Sequence, residues 1–337
     1  MPLPTRPLGR TGLEITKVGF GAWAIGGPWA FGWGTQDDAD SIAAIHRAVE
    51  HGVNWVDTAA AYGLGHSEEV VGRARRALPE ADRPHLFTKC GLVGDERDPH
   101  ADPRRTLTPD SIRRECEASL RRLGVERIDL YQFHWPDPDT PVEDSWDAMV
   151  GLIDEGKVRA GGVSNFDVGL LERCEARGQV GSLQPPFSMI NRDAGADVIP
   201  WCAEHGTGVI AYSPMQSGLL TGRFSRERAK SLPDDDWRKR SDEFTEPRLS
   251  RNLELQDALR PVAERHRTTP GAVAVAWALA WPGVTGAIVG ARSPEQVDGW
   301  IDAASLELTE DDLAELRAAI ARTGAGHGPV AHELRAT

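Results

Sequence analysis

The feature that most constrains this chain is a regular alternation between short apolar segments and longer segments with helical periodicity. Residues 108–124 have Pro109 at the first helical position and Gly124 at the end, and residues 37–50 and 140–156 also show a helical pattern. Parallel strands joined by crossover helices explain this order. The apolar segments number eight, as needed to close a (β/α)8 barrel, and are residues 17–21, 54–57, 86–89, 128–134, 158–164, 182–187, 208–213 and 286–290.

Three further segments lie outside these repeats. Residues 9–12 predict an N-terminal β-hairpin, and an extra C-terminal helix is expected after residue 309. Residues 223–252 are highly charged and too long for an ordinary connection, so they predict a long mobile loop after the seventh strand. We therefore expect an α/β fold in which residues 1–337 form a single TIM-barrel domain. An open doubly wound sheet is the alternative, although it would not need eight regular repeats.

Charge and composition limit the classes of function. The chain has 337 residues, with 38 Lys and Arg against 51 Asp and Glu, which gives a formal net charge of −13. This charge repels a nucleic-acid backbone or an anionic bilayer, and no basic cluster offsets it. The N-terminus MPLPTRPLGR lacks the apolar segment of a signal peptide, and no apolar run approaches the length of a membrane helix. We expect a cytoplasmic protein without nucleic-acid or membrane partners.

The sequence predicts neither a disulfide framework nor a metal site. The four cysteines, Cys90, Cys116, Cys174 and Cys202, lie far apart and form no CxxC pair, so reduced and mostly buried thiols are expected. Neither an HExxH motif nor an EF-hand loop occurs.

One motif suggests a different fold. The segment GFGAWA at residues 19–24 fits the GxGxxA pattern of a Rossmann dinucleotide-binding turn. That turn requires a helix at its last small residue, whereas the next residues, IGGP at 25–28, disfavour a helix. We therefore interpret the match as accidental.

Polar side chains stand at the carboxyl ends of successive predicted strands. Asp57 ends the second strand and Tyr62 lies in the following turn, while Lys89 and His134 end the third and fourth strands. Taken alone, each of these residues has a structural explanation. Asp57 could cap a turn, and Lys89 could be a solvated surface side chain. Because all strand ends in a parallel barrel face one side, we expect these four side chains to converge there.

The four residue types together form a proton donor. A phenol has a pKa near about 10, which a neighbouring ammonium lowers. We expect Tyr62 to act as the general acid, Lys89 to tune its pKa and Asp57 to hold Lys89. His134 would orient and polarise a substrate carbonyl. A hydride from a nicotinamide cofactor would complete the reaction.

The remaining strand ends suit that cofactor. Ser164, Asn165 and Gln184 can hydrogen-bond a carboxamide, and the ring of Tyr212 can stack on a flat heterocycle.

Seven motifs together resemble those of the aldo-keto reductases. The likeness is to the bacterial branch of general-stress and inositol-locus reductases and, more distantly, to the potassium-channel β subunits. It extends from LGRTGL at residues 8–13 to about residue 322. The motifs are GFGAW at 19–23, DTAAAYG at 57–63, HWPD at 134–137, GVSNF at 162–166, QPPFSMINR at 184–192, YSPMQSGLLTGR at 212–223 and GARSPEQ at 290–296.

The resemblance implies a (β/α)8 barrel that uses NADP(H) to reduce an aldehyde or ketone, with Asp57, Tyr62, Lys89 and His134 as catalytic tetrad. Arg292, supported by Arg223, is suited to the 2′-phosphate that distinguishes NADP from NAD. The implied cofactor-binding residues are Gly21, Ala22, Trp23, Asp57, Ser164, Asn165, Gln184, Tyr212, Ser213, Pro214, Gly218, Leu219, Thr221, Gly222, Arg223, Gly290, Arg292, Ser293 and Gln296.

One position departs from the resemblance. Relatives often carry an asparagine where this chain has Trp300, and we favour packing of this side chain against the eighth helix over a role in cofactor binding.

The substrate is expected to be a small-molecule carbonyl compound that contacts Trp23, Tyr62, His134 and Trp135. Trp29, Phe31 and Trp33 would also crowd the entrance or brace its loops. A cofactor-sensing regulatory subunit with little turnover is the alternative function, and an alcohol dehydrogenase would share every residue of the reductase.

Overall fold

The computed structural model describes residues 2–95, 97–234 and 236–331, and its strands confirm the predicted (β/α)8 barrel. The strands are β1 (Thr5–Pro7), β2 (Glu14–Thr16), β3 (Val18–Gly21), β4 (Trp55–Asp57), β5 (His85–Cys90), β6 (Leu92–Val93), β7 (Arg104–Arg105), β8 (Ile128–Phe133), β9 (Val158–Ser164), β10 (Ser182–Gln184), β11 (Gly208–Ala211) and β12 (Val284–Gly290). Strands β1 and β2 form the predicted N-terminal hairpin, and β6 and β7 form a second antiparallel pair. The other strands close a parallel barrel in the order β3-β4-β5-β8-β9-β10-β11-β12, so all their carboxyl ends face the same side.

Helices follow the barrel strands along the chain. They are α1 (Asp38–Glu50), α2 (His66–Ala77), α3 (Pro109–Leu123), α4 (Val142–Asp154), α5 (Val168–Glu175), α6 (Val198–His205), α7 (Arg226–Lys230), α8 (Arg248–Ala258), α9 (Arg260–His266), α10 (Pro270–Ala280), α11 (Pro294–Asp298) and α12 (Glu310–Thr323). Helix α12 is the predicted extra C-terminal helix. It begins at Thr309, whose side chain forms a reciprocal capping box with Asp312.

The charged segment 223–252 follows β11. It contains α7, the 3-10 helices Trp237–Arg240 and Asp242–Phe244, and the first turns of α8. Residue 235 lies outside the described residues. Side chains cap two of these helices: Ser225 accepts a hydrogen bond from the backbone N–H of Arg228 at the start of α7, and Asp236 accepts one from that of Arg238 at the start of Trp237–Arg240.

Alternating residues of the barrel strands point inward and fill the barrel with an apolar layer. The members of this layer are Trp55, Phe87, Leu130, Ala160, Ile210 and Ile288, joined by Leu8, Leu13 and Ile15 of the hairpin. The hairpin therefore covers the amino-terminal end of the barrel. Trp55 is the largest of these side chains, and its indole N–H donates to the backbone oxygen of Thr16 at 2.8 Å.

Because side chains alternate along a strand, the inward positions recur two residues later, nearer the carboxyl ends. Asp57 follows Trp55, Lys89 follows Phe87 and Gln132 follows Leu130 in this way. The barrel interior thus changes from apolar to polar toward its carboxyl-terminal mouth.

None of the helices in the three described ranges is long and apolar enough to cross a membrane.

Candidate active site

A buried lysine lies between a carboxylate and a phenol at the mouth of the barrel. Lys89 Nζ donates to Asp57 Oδ1 at 2.5 Å and to Tyr62 Oη at 3.3 Å. It also donates to the backbone oxygen of Thr58 at 2.9 Å. Asp57, Lys89 and Tyr62 are 2%, 1% and 7% exposed. Strands β4 and β5 are neighbours, which brings the first two side chains together across the sheet.

A glycine-rich turn returns Tyr62 over the barrel mouth. Residues Tyr62–Gly65 form a short 3-10 helix in which Gly63 has a φ of +59°. A side chain at Gly63 would overlap the backbone oxygen of Gly26, so the turn lies directly against the loop after β3. This close approach fixes the backbone that carries the phenol.

His134 completes the group of four predicted catalytic side chains. Its ring centroid lies 5.5 Å from that of Tyr62, with an interplanar angle of 76°. The backbone N–H of His134 donates to Cys90 O at 2.9 Å, which continues the β5–β8 pairing past the end of β8. The structure therefore brings together all four residues that the sequence predicted to converge.

Burial shifts the proton affinities within this group. It raises the pKa of Tyr62 well above 10, and the negative charge of Asp57 raises it further. Burial also lowers the pKa of Lys89, and the negative charge of Asp57 partly offsets this shift by raising the pKa. The pKa of His134 is lowered well below 6.5 by burial and then by the charge of Lys89.

The pKa of Tyr62 is raised, whereas the sequence predicts that Lys89 lowers it. The reason is that loss of water around the phenol disfavours the phenolate and that Asp57 lies close by. Tyr62 and His134 are therefore both neutral at physiological pH.

The predicted carboxamide ligands form one hydrogen-bonded cluster beside this group. Ser164 Oγ donates to Gln184 O at 2.7 Å, and Asn165 Nδ2 donates to Ser164 Oγ and to His134 O, each at 3.0 Å. Tyr212 Oη donates to Asn165 Oδ1 at 3.0 Å. Asn165 adopts a left-handed backbone with a φ of +63°, which turns its amide toward these partners.

The segment after β11 has an unusual backbone. Ser213, Gln216 and Ser217 have φ values of +55°, +48° and +51°, followed by Gly218 at +100°. Strained backbone of this kind clusters at ligand-binding sites.

The other predicted residues of this segment are fixed by local contacts. Thr221 Oγ1 donates to Gly218 O at 2.8 Å, and the backbone N–H of Gly222 donates to Gln256 Oε1 at 3.2 Å. Leu219 and Pro214 are buried and Arg223 is exposed.

Arg292, predicted to hold a 2′-phosphate, bonds to the loop before α1. Its Nε donates to Gln36 Oε1 and its Nη2 to Thr35 O, each at 2.6 Å. Its backbone N–H donates to Gln296 Oε1 at 2.9 Å. Burial and the nearby Arg238 charge lower the pKa of Arg292, so two guanidinium groups lie in the same region.

The remaining residues assigned to the cofactor lie at the same mouth. Gly290 pairs with Gly21 where β12 meets β3, and Ala22 and Trp23 follow directly. Ser293 directly precedes α11.

Trp300, where relatives often carry an asparagine, is buried. It is 2% exposed within the main hydrophobic core, as expected for a packing role.

Aromatic side chains surround the mouth. Trp29 lies 5.8 Å from Tyr62 between ring centroids and contacts Phe31. Trp23 packs on Trp33 at 4.7 Å. The guanidinium of Arg105 lies 4.8 Å from the ring of Trp135, which directly follows His134.

Two residues of this region, Arg238 and Gln132, were not predicted from the sequence. The guanidinium of Arg238 lies 4.7 Å from the Trp33 ring, and its Nη1 donates to Ser217 O at 3.3 Å. No sequence periodicity indicates these contacts, because they join short connecting segments that lie far apart in the chain. Gln132 is buried beneath the tetrad, and its inward position could have been found from strand alternation two residues before His134.

Among the described residues, no group of three or more His, Cys, Asp or Glu side chains could hold a metal ion. The four cysteines are buried.

Comparison with known proteins identifies the family. Residues 17–321 match the Aldo/keto reductase family. The chain is 34% identical over 316 residues to aldo-keto reductase YhdN of Bacillus subtilis, covering 93% of this chain and 92% of that protein. It is 32% identical over 328 residues to the NADH-specific methylglyoxal reductase of Escherichia coli, covering 92% and 96% respectively.

A solved structure agrees. The glycerol dehydrogenase AKR11B4 from Gluconobacter oxydans matches with a TM-score of 0.87 and 37% identity, over 96% of this chain and 97% of that one. The family comprises NAD(P)H-dependent carbonyl reductases. This chain belongs to the aldo/keto reductase family.

Proposed function

We propose that this protein uses NADP(H) to reduce a small aldehyde or ketone to an alcohol, with Tyr62 as the proton donor. One observation carries the proposal: Lys89 Nζ lies between Asp57 Oδ1 at 2.5 Å and Tyr62 Oη at 3.3 Å in a buried environment. A buried lysine that contacts a phenol in this way stabilises negative charge on the phenol oxygen after the proton leaves.

The roles of the four side chains follow from their contacts. Asp57 compensates the buried charge of Lys89, which would otherwise be costly. Lys89 orients the Tyr62 hydroxyl, and this hydroxyl transfers its proton to the carbonyl oxygen as negative charge develops there. Neutral His134 hydrogen-bonds the same oxygen and orients the carbonyl.

The neighbouring cluster suits a nicotinamide cofactor. Ser164, Asn165 and Gln184 supply hydroxyl and amide groups, and amides both donate to and accept from a carboxamide. The half-buried Tyr212 offers a ring for stacking. The nicotinamide, when bound, supplies the hydride that adds to the carbonyl carbon.

We assign the phosphate-bearing parts of the cofactor to two regions. The strained segment that begins at Ser213 would hold the pyrophosphate, with Gly218 and Thr221. Arg292 would bind the 2′-phosphate, supported by the nearby charge of Arg238. These charges favour NADP(H), although one relative is described as NADH-specific.

For the substrate, we propose a small carbonyl compound with a second oxygen on the adjacent carbon. The relatives named for their substrates act on methylglyoxal and on glycerol, and both molecules carry oxygen atoms on adjacent carbons. The aromatic side chains Trp23, Trp29 and Trp135 suit a compact molecule with an apolar face.

The test is consumption of NADPH with a panel of carbonyl compounds that includes methylglyoxal, together with the reverse reaction on glycerol. Lys89→Met should lower kcat by at least about 100-fold, because the Tyr62 hydroxyl loses its charged partner. Thr207→Val is the matched control, since it removes a buried hydrogen bond to Val180 O outside the proposed site.

Wild-type protein that binds NADPH but reduces no carbonyl in the panel would favour the regulatory-subunit alternative. Undiminished turnover in Lys89→Met would contradict the role given to this lysine.

A further inference from the structure

Gln132 connects the proton-donating group to the carboxamide cluster. It lies on β8 with a relative exposure of 0%. Its Nε2 donates to Asp57 Oδ2 at 3.4 Å. Its Oε1 accepts from Gln184 Nε2 at 3.4 Å and from Ser182 Oγ at 3.3 Å. One side chain thus contacts residues on two other barrel strands.

These contacts allow one orientation of the Gln132 amide. A carboxylate only accepts hydrogen bonds, so the NH2 group of Gln132 must face Asp57. The other end then faces the Gln184 NH2 group and the Ser182 hydroxyl, which donate. Turning the amide around would place its oxygen against the Asp57 carboxylate and its NH2 group against the NH2 group of Gln184.

Packing restricts the same side chain. A Cβ atom built at Gly162 of β9 would lie 3.1 Å from Gln132 Cγ, so the neighbouring strand passes close to the glutamine stem. An apolar side chain of similar volume would fill this space equally well, as Leu130 does one layer below. Volume alone therefore does not explain a glutamine here.

The two oxygens of Asp57 are divided between two sets of donors. Oδ1 accepts from Lys89, whereas Oδ2 accepts from Gln184 Nε2 at 2.9 Å and from Gln132. A carboxylate held at both oxygens cannot rotate without losing a hydrogen bond in a buried site. The position of Lys89, and through it that of the Tyr62 hydroxyl, depends on this fixed carboxylate.

We propose that Gln132 is a positioning residue for carbonyl reduction. It fixes Asp57 and Gln184 relative to each other and thereby aligns the Tyr62 hydroxyl with the carboxamide-binding cluster. This inference rests on the proposed reductase function. Because Gln132 is fully buried and bonds to Asp57 and Gln184, we expect its effect to appear in kcat rather than in the KM for the carbonyl compound.

The first test uses Gln132→Met, which keeps the length of the side chain and removes its hydrogen bonds. We expect kcat to fall about tenfold while the KM for methylglyoxal changes by less than about twofold. A kcat within about twofold of wild type would overturn the inference. Thr207→Val, which loses a buried hydrogen bond outside the site, should keep wild-type kcat.

The second test uses Gln132→Glu and remains informative if Gln132→Met fails to fold. A protonated glutamic acid keeps one donor and one acceptor, whereas its carboxylate would repel Asp57. The charged groups of this network are Asp57 on β4 and Lys89 on β5, with Glu68 of α2 acting on Lys89. Strands β9 and β10 present Gly162, Ser182 and Gln184, which do not titrate.

The ratio of kcat in Gln132→Glu to kcat in wild type should rise at least about threefold as the pH falls from about 9 to about 6. A ratio that is independent of pH would show a role in packing only and would overturn the inference. Failure of the wild-type protein to reduce any carbonyl compound would instead overturn the proposed function and this inference with it.

Discussion

The two side chains assigned to the carbonyl oxygen are both held neutral by burial, although their pKa values shift in opposite directions. Burial raises the pKa of the Tyr62 phenol, and burial lowers the pKa of the His134 imidazole. A phenol with a raised pKa keeps its proton until negative charge develops on the substrate. A neutral imidazole donates a hydrogen bond without adding a second positive charge beside Lys89. The buried environment therefore separates the roles of proton donor and orienting group.

The lowered pKa of His134 predicts how the stability of the folded protein depends on pH. The unfolded chain takes up a proton near pH 6.5 whereas the folded site takes it up only at lower pH, so stability decreases as the pH falls below 6.5. In wild-type protein, the His134 resonance followed by NMR should not titrate near pH 6.5.

The free energy of unfolding, measured in urea at several pH values, provides the second readout. Wild type should lose more stability than His134→Gln as the pH falls below 6.5. A His134 midpoint at or above 6.5 would contradict the assigned neutral state.

Among the barrel strands, the large indole ring of Trp55 fits inside the barrel because the neighbouring positions on other strands are glycines. A Cβ atom built at Gly19 of β3 would overlap the indole ring of Trp55 on β4, and one built at Gly286 of β12 would lie 3.2 Å from it. The Trp55 ring also packs on Phe87 at 5.1 Å. The apolar layer beneath the site therefore requires glycine beside Trp55.

Gly19→Ala should lower the free energy of unfolding by about 1–3 kcal/mol, because the added methyl group overpacks the interior. The matched control is Gly169→Ala in α5, where an exposed glycine would gain helix propensity of up to about 1 kcal/mol. Urea denaturation measures both variants. Equal stability of the two would refute the packing argument.

The strands, and the convergence of polar side chains at their carboxyl ends, could be predicted from the sequence because both depend on regular geometry. Parallel strands bring Asp57, Lys89 and His134 to one end, whatever the loops do. The contact of Arg292 with Gln36 could not be predicted, since it joins irregular segments 256 residues apart. The pKa direction of Tyr62 also required structure, because burial outweighs the expected effect of Lys89.

Across the whole molecule, contacts connect the additional elements to the barrel. The hairpin residues Leu8, Leu13 and Ile15 belong to the interior apolar layer. Helix α12 is held against α9 by hydrogen bonds in which Arg265 and His266 donate to the carboxylate of Asp312. We therefore propose that the described residues, from 2 to 331, belong to a single domain.

Because the whole chain is acidic, binding of an anionic cofactor depends on the arginines at its proposed site. A net charge of −13 disfavours an anionic cofactor, whereas Arg292 and Arg238 lie close enough to affect each other. Arg292→Ala should weaken NADPH binding by about 10- to 100-fold, as expected for a charged hydrogen bond, and leave NADH binding nearly unchanged. Fluorescence titration with both cofactors measures this difference. Equal weakening for both would argue against the 2′-phosphate assignment.

Proton donation by Tyr62 is tested by the single-turnover rate of NADPH oxidation in Tyr62→Phe. The carbonyl compound is one that the wild-type protein reduces, supplied at a saturating concentration. We expect a rate at least about 100-fold below wild type, with the Kd for NADPH within about twofold of wild type. Reduction by Tyr62→Phe at the wild-type rate would contradict it.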